Sequence, residues 1–308
     1  MKTLSLLLVV IHFFTGALSS IQSQLFGAFN IFDANYSLEQ FSRNLNLLIG
    51  PIRNPAYGDL ELQARSAVIL DFESNRTLFS KNPDEKLPMA SITKIMTALV
   101  VLDTYTNLET VITIPEAATK SNGSRMYLYA GESLTVRNLL KGLLINSAND
   151  VALTFALRIG GSTDKFAQMM NAKATQLGLF STHFVNPTGF DDPGHYSTAR
   201  DIANLTRIGL MDPTFAEIVS VSKTTVYDVT RKFSHELKNT NELVGRYTNV
   251  IGVKTGTTEE AGQSLVASAR GDSGQEVIAV LLNSPDRFEE GKRALDWALK
   301  AYSWVEVV

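Results

Sequence analysis

The chain has 308 residues, a hydrophobic share of 44%, a formal net charge of −3 at pH 7 and no cysteine. That length suits one large domain or two modest ones, and the composition excludes collagen-like, low-complexity and mainly disordered chains. No cluster of Lys and Arg with interleaved aromatics is present, which argues against a nucleic-acid partner, and the lack of cysteine removes disulfides, thiol catalysis and Cys-ligated zinc.

At the N-terminus Lys2 precedes an apolar run from Leu4 to Phe14 and then Thr15-Gly16-Ala17-Leu18-Ser19. Residues 1–20 therefore read as a secretory signal peptide with cleavage near Ser19 or Ser20. An uncleaved N-terminal membrane anchor is the alternative, although the run is shorter than the ~20 residues of a comfortable span. Both readings predict an exported protein, periplasmic or extracellular, tethered to the membrane in the second case. Residues 21–61 mix Gln, Asn, Phe and Pro without a steady period and read as a leader or linker, punctuated by Pro51, Pro55 and Gly58. A single domain is expected over residues 62–308.

Within it, Ser66-Ala-Val-Ile-Leu-Asp71 and Thr77-Leu-Phe-Ser80 read as a hairpin across Ser74-Asn75-Arg76. From Ser91 to about Leu210 helical periodicity dominates. Ile92, Ile95, Met96, Leu99 and Val100 share one face, as do Leu139, Leu140, Leu143 and Leu144. Thr198-x-x-Asp201 has the spacing of a capping box. Strand character returns in Val250-Ile-Gly-Val-Lys254, Ser264-Leu-Val-Ala-Ser268 and Glu276-Val-Ile-Ala-Val-Leu-Leu282, with Gly271-Asp-Ser-Gly274 as a turn. A last helix follows Pro285, with Phe288, Leu295, Ala298 and Tyr302 on one side and Glu289, Lys292 and Lys300 on the others. The prediction is an α+β fold: one antiparallel sheet built from both chain ends, flanked by helices and interrupted by a helical insertion.

Three short motifs carry the chemistry: Ser91-Ile-Thr-Lys94, Ser147-Ala-Asn149 and Lys254-Thr-Gly256. Each is weak alone, and Ser220-Val-Ser-Lys223 matches the first pattern as well. Ser91 opens the apolar-periodic helix with Lys94 one turn later on the same face, so a serine hydroxyl, a lysine amine and a helix N-terminus meet. The Ser91 backbone N–H and the positive end of the helix could receive a developing oxyanion. A lysine is a base only when neutral; bringing an ammonium from ~10.4 to near neutrality costs roughly 4 kcal/mol, which burial and a second cation such as Lys254 would supply. Lys223 leads into a strand-like run, so Ser220 and Lys223 would point to opposite faces. Ser147 and Asn149 fall on a tight loop between helical runs, where simple capping is the competing role. Lys254, Thr255 and Gly256 end an apolar strand at whose edge a substrate backbone could add.

The same trio marks class A β-lactamases and penicillin-binding proteins. Further likeness lies in Leu134-Thr-Val-Arg-Asn-Leu-Leu140, Thr182-His-Phe-Val-Asn-Pro187 with Gly189, Tyr196-Ser-Thr-Ala-Arg-Asp201 and Ala261-Gly-Gln-Ser-Leu-Val-Ala-Ser268. From about Ala67 to Asp286 the chain thus resembles the low-molecular-mass penicillin-binding proteins, the serine D-alanyl-D-alanine carboxypeptidases. The resemblance implies a fold of the β-lactamase and DD-peptidase type and removal of the terminal D-alanine from peptidoglycan stem peptides, with β-lactams as covalent inhibitors and no cofactor or metal. It implies Ser91 as nucleophile, Lys94 as its base, Ser147 as proton relay to the leaving amine and Asn149 as holder of the substrate amide. Lys254 would supply positive charge, Thr255 would bind the terminal carboxylate, and the Thr257 backbone N–H would be the second oxyanion donor. Many relatives carry His where this chain has Thr257, which puts an imidazole role in deacylation in doubt. Longer relatives continue into an all-β domain and a membrane-binding helix, neither of which is expected after Val308.

The rivals are a DD-endopeptidase using the same residues, a β-lactamase and a non-catalytic penicillin or cell-wall sensor. Class A β-lactamases need a deacylating glutamate, and His183-Phe-Val-Asn186 offers no such acid. A zinc carboxypeptidase is disfavoured because His183, His195 and His235 form no H-x-x-x-H pattern.

Overall fold

A computed structural model describes residues 50–247 and 249–304. The predicted signal peptide or anchor and residues 21–49 of the leader lie outside the described residues. The chain runs through β1 (Ile52–Arg53), β2 (Ser66–Asp71) and β3 (Thr77–Lys81) to a 3-10 turn at Ala90–Thr93. Next come α1 (Lys94–Thr104), β4 (Val111–Thr113), α2 (Glu116–Thr119), β5 (Ser133–Thr135), α3 (Val136–Leu144) and α4 (Asn149–Phe155), which ends in a π turn at Ala156–Gly160. Helices α5 (Thr163–Gln176), α6 (Ala199–Met211) and α7 (Pro213–Val219) follow, then β6 (Lys223–Tyr227) and β7 (Ser234–Lys238). The chain closes with β8 (Val250–Thr258), β9 (Gly262–Arg270), β10 (Glu276–Ser284), α8 (Arg287–Ala301) and β11 (Tyr302–Ser303).

The main sheet has the order β3-β2-β10-β9-β8, every neighbour antiparallel. Two strands come from the start of the domain and three from its end, as the sequence pattern predicts. All six residues of β2 are buried and so are the first seven of β10. Because successive side chains point to opposite faces, helices must cover both sides; α8 packs on β9 and β10, and α6 on β2 and β10. β8 lies at the sheet edge. Helix α1 is buried from Lys94 through Val101, so it runs through the middle of the helical layer.

Several details differ from the sequence reading. The helical insertion contains a small β4–β5 pair, and a separate β6–β7 hairpin precedes the third motif. Ile52–Arg53 pairs with Ser303 and Tyr302, so β1 joins β11 at the chain's far end. Thr198 Oγ1 accepts from Asp201 N at 3.1 Å, but the Asp201 carboxylate turns away from the cap to Ser181 N and Thr182 Oγ1. On α8 the buried side is Glu290, Gly291, Ala294, Leu295, Ala298 and Ala301, with Phe288 half-buried and Tyr302 beyond the helix. Glu290 belongs inside because its carboxylate accepts from Ala64 N at 3.0 Å, from Ser284 Oγ at 2.6 Å and from Gln63 N. Buried backbone donors entering β2 need such an acceptor.

Candidate active site

Ser91 sits in the 3-10 turn, and Lys94 is the first residue of α1. At three residues per turn, positions i and i+3 stand one above the other, and Lys94 Nζ lies 2.8 Å from Ser91 Oγ. The turn is set by Ala90, whose φ of 49° is in the left-handed region, a conformation that costs a non-glycine residue about 1 kcal/mol or more and clusters at functional sites. Lys94 is fully buried, and its amine also donates to Thr188 O at 2.8 Å. Burial, and after it the Lys254 charge, holds the Lys94 amine well below its ordinary range, with Asp150 opposing. A shift in this direction favours the neutral amine that a base requires.

Ser147, also at a positive φ of 57°, lies between α3 and α4. Lys254 reaches it from edge strand β8, with Nζ donating to Ser147 Oγ at 2.8 Å and to Thr255 O at 2.9 Å. Burial, and next the Arg287 guanidinium, lowers the Lys254 amine to about 7. Asn149 Nδ2 donates to Asn122 O at 2.7 Å, whereas its buried Oδ1 has no hydrogen-bond partner among the described residues. A buried carbonyl oxygen without a donor is costly, and a substrate N–H would satisfy it.

A Cβ on Gly256 would come within 2.9 Å of Met89 O and 3.2 Å of Ser91 N. What approaches this glycine in the structure is the nucleophile's own turn, so Gly256 is what lets β8 lie against Ser91. Gly189 is tighter still: a Cβ there would stand 1.9 Å from Ala90 O. Thr255 is buried and its hydroxyl donates to Thr240 Oγ1 at 2.7 Å, while Thr257 on β8 is exposed.

Three participants escaped the sequence reading. Arg287, in the first turn of α8, donates through NH1 to Gly256 O at 3.0 Å and Thr257 Oγ1 at 2.5 Å, and its buried Nε has no partner among the described residues. Thr188 contributes only its carbonyl, held in place because Asn186 Oδ1 gathers the N–H groups of Thr188, Gly189 and Phe190. Asp150 accepts from Met126 N and Leu128 N. A basic residue after a proline, a backbone carbonyl and an acid beside a motif carry no spacing signal. Ser220 ends α7 and Lys223 opens β6, where its amine pairs with Glu236, so this second S-x-x-K makes no pair. The three histidines bind separate partners: His183 to Gly194 O, His195 to Thr93 Oγ1 and Val185 N, and His235 to Glu132 and Met126 O.

A family model described as D-alanyl-D-alanine carboxypeptidase matches residues 53–286. The chain is 36% identical over 251 residues to the D-alanyl-D-alanine carboxypeptidase DacF of Bacillus subtilis, covering 79% of this chain and 64% of that one. It therefore spans less than two thirds of that relative's length. A D-alanyl-D-alanine endopeptidase of Pseudomonas aeruginosa is 36% identical over 208 residues, 67% of each protein. Among solved structures, a Streptomyces DD-transpeptidase matches with a TM-score of 0.73 at 32% identity, over 79% of this chain and 99% of its own.

Proposed function

The chain belongs to the D-alanyl-D-alanine carboxypeptidase family and has the DD-peptidase fold, and on that premise we propose that it is an exported serine carboxypeptidase that removes the terminal D-alanine from peptidoglycan stem peptides. The observation that carries this reading is the 2.8 Å approach of the buried Lys94 amine, its pKa lowered by burial and by Lys254, to the Ser91 hydroxyl. Ser91 Oγ attacks the carbonyl between the last two D-alanines as Lys94 takes its proton. The oxyanion is received by the backbone N–H groups of Ser91 and Thr257. Ser147, bonded to Lys254, passes a proton to the departing D-alanine amine, leaving an acyl-enzyme that water cleaves.

Asn149 Oδ1 would accept from the substrate amide. Thr255 and the Lys254 charge would face the terminal carboxylate, with Arg287 adding a second cation from α8. An extended stem peptide would lie along edge strand β8. β-Lactams would acylate Ser91 in the same way. Residues 1–20 would export the chain or anchor it, residues 21–61 would lead to the domain of residues 62–308, and the site would work outside the cytoplasm.

The acylating half-reaction is the same whether the bond cut belongs to a pentapeptide or a cross-link, and the endopeptidase likeness makes cross-link cleavage the second reading. Protein lacking residues 1–20, incubated with a pentapeptide muropeptide and a cross-linked dimer and read by mass, separates the two. D-alanine release from the pentapeptide alone is expected, and Ser91→Ala should abolish it. Undiminished release by Ser91→Ala would overturn the assignment.

A further inference from the structure

We propose that His235 is a positioning residue for this reaction: paired with buried Glu132, it fixes the Ser121–Gly131 loop in the shape that presents the Asn149 carboxamide to substrate. The inference rests on the proposed function for its kinetic consequence, though not for its geometry. The loop has no helix or strand of its own, so its backbone groups depend on side chains. On one side they meet the second motif. Asn122 O accepts from Asn149 Nδ2, Ser124 O from Asn149 N at 2.7 Å, and Arg125 O from Asn146 Nδ2 at 2.8 Å. Asp150 Oδ1 and Oδ2 accept from Met126 N and Leu128 N.

On the other side the loop is held from β7. His235 Nδ1 lies 2.9 Å from Met126 O, and Nε2 lies 2.5 Å from Glu132 Oε1. Glu132 Oε2 in turn accepts from Tyr129 N at 2.9 Å. Both ring nitrogens thus face acceptors, and only the imidazolium, with a proton on each nitrogen, satisfies both. The charged groups facing the ring are Glu132, preceding β5, and Asp150 from α4; the ring of Tyr129 lies at 6.5 Å. Burial lowers the His235 pKa, but the Glu132 bond and the two carboxylate charges outweigh it and leave it raised. A neutral ring keeps a single N–H, so a nitrogen lone pair would face either the Met126 carbonyl or the Glu132 carboxylate, and one of the two ties that hold the segment abutting Asn149 would be lost.

The test is a cycle between His235→Gln and Asn149→Ala, followed by pentapeptide kinetics and histidine ring NMR on the full chain. His235→Gln should raise KM roughly tenfold with kcat little changed, the coupling expected within one hydrogen-bond network. In the Asn149→Ala background it should add nothing. Wild-type KM should climb as alkaline pH removes the His235 proton, and His235→Gln should lose that climb. Equal losses in both backgrounds would overturn the proposal, as would a His235 ring that titrates at or below pH 6.5. The NMR readout needs neither variant nor substrate, so it decides the geometry even where His235→Gln fails to fold or Ser91→Ala controls keep the parent activity.

Discussion

Lys94 and His235 are both buried basic groups, and their pKa values move in opposite directions because of what lies beside them. Lys94 shares its surroundings with a second lysine, so burial and like charge act together and favour loss of its proton. His235 meets the carboxylate of Glu132, so the hydrogen bond and opposite charge outweigh burial and favour the protonated ring. His195 is the intermediate case: Thr93 Oγ1 and Val185 N flank its ring, burial is the leading influence, and its pKa falls to about 4. Burial lowers all three, and only where a carboxylate hydrogen-bonds the ring directly, as Glu132 does at His235, is burial outweighed; the carboxylate of Asp192 does not outweigh it at His195. Catalysis would draw on the Lys94 arrangement and loop positioning on that of His235.

The comparison breaks most severely if a permanent charge is forced where the neighbours reject one. Arginine keeps its proton in proteins, so Lys94→Arg should slow acylation by about 10²–10⁴, the range a positioned base supplies. Covalent labelling by a fluorescent penicillin measures this directly. Labelling at the wild-type rate would mean that the neutral amine does no chemistry.

The histidines offer a thermodynamic version through the pH dependence of unfolding. The His195 pKa is lowered from 6.5 to about 4, so its neutral form is favoured in the native state and stability falls as pH drops through that window. The full difference is roughly 3 kcal/mol. His235 has the opposite sign: its contribution is complete below 6.5 and is lost as pH rises through its raised native value. Denaturant unfolding at a series of pH values should show His195→Asn flattening the acid side and His235→Gln flattening the alkaline side. Flattening of the same limb by both would erase the distinction.

How much of this was legible in the sequence follows from range. The sheet from both chain ends was readable because β2, β9 and β10 are runs of small and β-branched apolar residues, and their periodicity is local. The Ser91–Lys94 pair was readable because a single turn sets its geometry, although the turn proved to be 3-10 rather than α. The burial of Lys254 against Ser147 was not legible, since 107 positions separate the partners. The Glu132–His235 pair, 103 positions apart, had neither a motif nor a period to mark it. The packing of Gly256 against the Met89–Ser91 turn was not legible, because sequence can suggest a close approach without saying which backbone arrives. Glu290 was missed because a helix pattern reads an acid as solvated unless the strand-entry donors that need it are in view.

The smallest expected effect is also the most discriminating. Lys254 is the second influence on Lys94 after burial, so Lys254→Gln removes the like charge while leaving the amine buried. The Lys94 pKa should then rise. Because the reactive form is the neutral one, the acid limb of the penicillin-acylation profile should move to higher pH. The variant should be impaired near neutrality but regain part of its rate as pH increases, a recovery that Lys94→Arg cannot show because its charge does not titrate off. Loss of the contact to Ser147 scales the whole profile instead of moving its limb, so the position of the limb, not its height, reports the electrostatic coupling. An unmoved limb would mean that burial alone sets the Lys94 proton and that the neighbouring cation serves only the hydrogen bond to Ser147.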